Sequence, residues 1–171
     1  MATKTDFSLE EWRTLRDAPH LVVVASAAAG GSGLFGTLKE AIAPAGAMVE
    51  AIKGDNALLR NICDKEEMKA AVDEIKAGAK TTDFSEVQAY FHQQAVSQSR
   101  AALGIVKAKG TAEDAQAYAE FLMNLGKRVA NAAKEGGFLG FGGERVSEGE
   151  RVLLGELAEA LGVPAEQTFT A

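Results

Sequence analysis

Apolar residues along this chain recur at spacings of three and four, and almost nowhere with period two, so the pattern predicts helices throughout. Ser8 and Glu11 form a capping-box signature opening a short helix, with Trp12 and Leu15 on its apolar face and Pro19 as its stop. A second helix is expected from Pro19 to Ala29, proline being tolerated at a first helical position, and the glycines that follow end it. Thr37 opens a short helix that stops at Pro44. Between Gly46 and Gly78 the helical pattern is broken into AMVEAIK, then NALLRNIC capped by Asp55, then KEEMKAAVDEIKAG.

Two longer runs follow. Asp83 or Ser85 opens one that reaches about Lys109, with Phe84, Val87, Phe91, Ala95, Ala102 and Ile105 on one face. Thr111 with Asp114 opens the next, where Tyr118, Leu122, Leu125, Val129 and Ala132 make a stripe suited to a helix interface. Only Gly110 and Thr111 lie between them, which predicts an antiparallel hairpin. A last helix, capped by Ser147 and Glu150, buries Leu153, Leu154, Leu157 and Leu161 and ends at Gly162 before Pro164, leaving a polar tail.

One phrase occurs twice, as VASAAAGGSGLFG at residues 24–36 and VANAAKEGGFLGFGG at residues 129–143. Each copy leads from an Ala-rich helix through a glycine loop toward another helix. The expected fold is therefore all-α: a single-domain bundle of about seven helices over residues 1–171, with pseudo-repeat units near 19–44 and 112–162 and a helical connector over 46–110.

At 171 residues and 47% hydrophobic composition the chain can bury a core without disulfides or metal. Its net charge of -6, from interspersed acids and bases, offers no basic stripe for nucleic acid and no polybasic anchor for anionic lipid. Ala18 to Leu38 is uncharged and long enough to cross a bilayer, but its glycines, Pro19, His20 and hydroxyl residues favour a small-residue core helix feeding a loop. The acidic, polar N-terminus does not resemble a signal or transit peptide, and the single Cys63, expected to be a small buried residue, fits a reducing cytoplasm.

Candidate chemistry is sparse. Gly31, Gly33 and Gly36 satisfy G-x-G-x-x-G after the run LVVVAS, which in a dinucleotide fold would let backbone N–H groups approach a pyrophosphate. That fold needs further parallel strands, and none can be read between Thr37 and Ala171, so Gly30, Gly31, Gly33 and Gly36 with Phe35 are read as a helix-terminating loop. In the second loop Phe138 and Phe141 stand between Gly136, Gly137 and Gly142; they are either an exposed apolar contact patch or a plug in the core. His92 lies among glutamines, and Gln88, Phe91, His92 and Tyr118 are the candidate lining of a cleft between the long helices. No metal-ligand spacing or nucleophile elbow is present, and no cofactor is expected.

The stretches AKEGGFLGFGGERVSEGERVLLGELAEALG and AAAGGSGLFGTLKEA resemble the tellurite-resistance TerB-like proteins, over residues 24–42 and 129–162. The resemblance implies a small all-helical, internally duplicated bacterial protein of the cytoplasm, linked to stress or metal handling and without established catalysis. Where the family pattern has an Asp before the loop glycine, Ala29 and Gly136 stand here, so no bound metal or cofactor is expected. The functional expectation is a non-enzymatic interaction protein, a homo-oligomer or binder of a protein partner through its glycine loops. The alternatives are a small-molecule binder or enzyme with a cleft between the long helices, and a phosphate or nucleotide site at residues 30–36.

Overall fold

The first helix carries the longest uncharged run of the chain and has to be buried on several sides at once. In the computed structural model, which describes residues 1–30, 46–78, 83–135 and 147–164, this helix, α1, spans Leu9–Ala29 without interruption. Ser8 caps it by accepting from the Glu11 backbone N–H, and the Glu11 carboxylate accepts from the Ser8 backbone N–H. The expected stop at Pro19 is not there. Proline inside a helix removes the N–H that would bond four residues back, which leaves the Leu15 carbonyl without a helical partner. The Tyr118 hydroxyl donates to that carbonyl at 2.8 Å, in the core, so the helix runs on and a tertiary bond replaces the missing local one.

After a 3-10 turn at Lys4–Asp6 and α1, the described elements are α2 Gly46–Lys53, α3 Ala57–Ile62, α4 Lys65–Gly78, α5 Phe84–Lys109, α6 Ala112–Glu135 and α7 Glu148–Leu161. All are helical, and no strand occurs among the described residues. The cap of α3 is Asn56, whose side chain accepts from Leu59 N–H, and not Asp55. The other expected caps form: Asp83 on α5, Thr111 with Asp114 on α6, and the Ser147–Glu150 box on α7. Gly162 closes α7 in the left-handed conformation, φ 65°, which glycine adopts without steric cost. The expected helix from Thr37 to Pro44, the glycines and phenylalanines of both loops other than Gly30, and the polar tail lie outside the described residues.

Helices α1, α5, α6 and α7 each touch the other three, while α4 packs on α1, and α2 and α3 pack on α6. Leu15 meets Tyr118, and Val22 and Ser26 meet Gly126, so α1 and α6 run in the same direction. A Cβ on Gly126 would stand 3.5 Å from Val22 and Ser26 and only 2.9 Å from Leu154 of α7, so it is the approach of α7 to α6 that is closest at this glycine. The core joins Trp12, Leu15, Val22, Phe91, Tyr118, Leu122, Leu125, Leu153 and Leu157, all at most 2% exposed. Burying such side chains is worth about 1.5–3 kcal/mol each against leaving them exposed. Three expected face residues sit at the margin: Phe84 is exposed at the first turn of α5, and Ile105 and Val129 are half-buried. No helix among the described residues is long and apolar enough to cross a membrane.

Candidate functional site

Helix α1 presents Arg13, Arg16 and Asp17 on the side that faces α4. Arg16 is 5% exposed; its Nε donates to Asp17 Oδ1 at 2.7 Å, and its Nη2 lies 2.9 Å from Glu74 Oε2 of α4, an ion pair not aligned as a hydrogen bond. Glu67, a half-buried residue of α4, accepts from the Trp12 indole N–H at 2.9 Å and pairs with Lys4. Burial works to raise the Glu67 carboxyl, but the Lys4 ammonium and the Trp12 N–H outweigh it and hold it below the usual carboxylate range.

Asp17 behaves in the opposite way. Burial pushes its carboxyl up to about 6; the Arg16 guanidinium opposes that, and the neighbouring Glu74 charge adds to it. One helical turn on from Arg16, His20 is 2% exposed with Nδ1 unpartnered, and burial followed by the Arg16 charge depresses it to about 4, so it is neutral at pH 7. Cys63, at the end of α3, is buried and its thiol is pushed up to about 12, which keeps it protonated and unreactive. The chemistry available here is proton exchange near neutrality at Asp17.

Asp17 opens onto a groove of about 260 Å³ bounded by α1, the end of α4 and the first half of α5. Phe91, Gln94 and Gln98 line it from α5, so part of the polar stripe of that helix faces a concave surface. The four residues expected to share a cleft have separate contacts. Gln88 Nε2 donates to the Ala28 carbonyl at 2.8 Å, satisfying one of the free carbonyls at the end of α1. His92 Nε2 lies 2.9 Å from Glu156 of α7, Phe91 packs edge-on to Tyr90, and Tyr118 is committed to Leu15.

Of the loop residues, Gly30 alone is described, as the cap of α1. Beside it the Ser147 hydroxyl donates to the Ala29 carbonyl at 3.3 Å, and a Cβ on Gly149 would stand 2.9 Å from that same oxygen. The end of α1 and the beginning of α7 therefore meet, the partly negative end of one helix against the partly positive end of the other. Glu150 is 4% exposed; one carboxylate oxygen accepts from Ser147 N–H, and the other, unpartnered, would stand 3.1 Å from a Cβ on Gly30. The start of α2 lies against Arg128, in the C-terminal half of α6. Among the described residues no group of three or more His, Cys, Asp or Glu side chains could hold a metal ion.

Arg16, Asp17, His20 and Glu74 are not evident as a site in the sequence. Treating Pro19 as a stop separates Arg16 from His20, although their four-residue spacing puts both on one face of an unbroken helix. Comparison of the chain with protein-family models, with curated proteins and with solved structures gave no match.

Proposed function

We propose that this is a non-enzymatic interaction protein that self-associates through its two glycine segments, residues 30–36 and 136–143. The observation that carries this reading is the meeting of Ala29 and Gly30 with Ser147, Gly149 and Glu150: the end of α1, which leads into the first segment, lies against the start of α7, which follows the second. The parallel course of α1 and α6, each running into one copy of the phrase, supports a duplicated helix–glycine–helix plan. A single-domain bundle over residues 1–171, kinship with TerB-like proteins and a bacterial cytoplasmic setting belong to the same proposal. Phe138 and Phe141 supply the apolar contact, since an uncharged Phe pair between glycines is the chemistry of an interface centre.

Replacing both Phe138 and Phe141 by Ala tests this in sedimentation equilibrium. The expected result is a drop to monomer mass with the thermal midpoint unchanged. A mass that stays at the wild-type value in the double variant would remove the glycine segments from the contact.

A further inference from the structure

We propose that the groove bounded by α1, α4 and α5 binds a small primary ammonium or guanidinium compound. Its walls carry three carboxylates, Glu10, Asp17 and Glu74, and one guanidinium, Arg13. Beneath them the buried Arg16 serves two carboxylates at once, Asp17 at 2.7 Å and Glu74 at 2.9 Å. Two neighbouring acids on one buried cation leave negative charge in a partly desolvated place, and a second cation is the group that neutralises it. Arg13 does this only in part: it sits 3.4 Å from Glu74 and its side chain is 53% exposed.

The opposite wall suits the rest of such a molecule. Tyr90 is 41% exposed, and its ring, backed edge-on by buried Phe91, offers a face on which a guanidinium or ammonium is held by the ring quadrupole. Gln94 and Gln98 supply amide groups that hydrogen-bond in either sense. A groove of about 260 Å³ admits a compound of a few carbons and excludes a folded partner.

A bound cation stabilises the ionised form of Asp17, so binding has to expel the proton held there below about pH 6. The groups acting on Asp17 are Arg16 from α1 and Glu74 from α4; the Tyr118 phenol of α6, raised well above its ordinary value by burial and in part by the Asp17 charge, stays neutral here, and the α5 side chains lining the groove are uncharged. Affinity therefore rises with pH through this region and levels off above it.

Isothermal titration with agmatine, which carries an ammonium and a guanidinium, tests the proposal, with butyrate as the anionic control. The expected results are saturable agmatine binding at pH 7.5, none of butyrate, and a loss of about tenfold in affinity on going to pH 5. Asp17→Asn should weaken agmatine at least tenfold and Tyr90→Ala several-fold. If Asp17→Asn does not fold, Gln94→Ala with Gln98→Ala takes its place on the half-buried wall. Absence of saturable heat up to millimolar agmatine, equal binding of butyrate, or affinity unchanged in the groove variants overturns it. Because no groove variant touches residues 136–143, its outcome is independent of the self-association test.

Discussion

The two seams of α1 solve the same packing problem with different chemistry. Toward α6 the contact is apolar and close, with Leu15, Val22, Leu122 and Gly126 in the core and one buried hydrogen bond, Tyr118 to Leu15. Toward α4 it is a charged lattice in which one buried cation, Arg16, faces the three carboxylates of Asp17, Glu67 and Glu74, and Glu67 also accepts from the Trp12 indole. The first seam gains its free energy from burial and loses it when one polar partner is removed. The second gains little net energy, because desolvation offsets attraction, but it responds to pH, salt and cations. Stability and chemistry are thus placed on two sides of one helix.

The largest effect should come from the α6 seam. Tyr118→Phe leaves the Leu15 carbonyl buried and unbonded and is expected to cost about 1–3 kcal/mol in urea unfolding. The same change in a Pro19→Ala background should cost distinctly less, because residue 19 then offers its own N–H to Leu15. Equal costs in both backgrounds would refute the replacement of the local bond by the tertiary one.

The α4 seam should show itself in pH. Asp17, raised from 3.8 to about 6, contributes stability that is present below its unfolded value and lost as pH rises through 6. His20, lowered from 6.5 to about 4, contributes stability that is present above 6.5 and lost as pH falls toward 4. Over the shared window the two slopes oppose, so the wild-type stability should be nearly flat. Asp17→Asn should then expose a fall toward acid and His20→Leu a fall toward neutrality, each on the order of 1 kcal/mol per pH unit within the window. Parallel curves for wild type and both variants would contradict the assignment.

The smallest effect belongs to the rim of that seam. Glu67→Gln keeps an acceptor for the Trp12 indole and loses the charge that faces Lys4 and, at 3.9 Å, Arg16, so it should cost about 0.5 kcal/mol, and less at high salt. A cost above that of Tyr118→Phe would reverse the ranking of the two seams.

Much of the helical order was legible because its signals are local. The Ser8–Glu11 and Ser147–Glu150 boxes, Asp83, the Thr111–Asp114 pair and Gly162 all act within a single turn, and the spacing of Leu153, Leu154, Leu157 and Leu161 assigns a buried face directly. Pro19 was misread for the same reason. A proline breaks a helix when considered with its neighbours, whereas here the compensating donor is Tyr118, ninety-nine positions away. The groove at Asp17 was hidden in turn, since Arg13, Arg16 and Asp17 lie off the apolar face of Trp12 and Leu15 and nothing local to them shows that α4 is laid over them.

By itself, then, the amino-acid order determined the helices, most of their ends and the apolar faces, because capping and periodicity are settled within a turn or two of chain. The tertiary structure alone decided that α1 passes through its proline, that Arg16 and Asp17 share a buried seam with Glu74, and that Ala29 and Ser147 adjoin. Each of those depends on a group brought from a distant part of the chain, and desolvation shifts a carboxyl or an imidazole only after packing has removed the water around it.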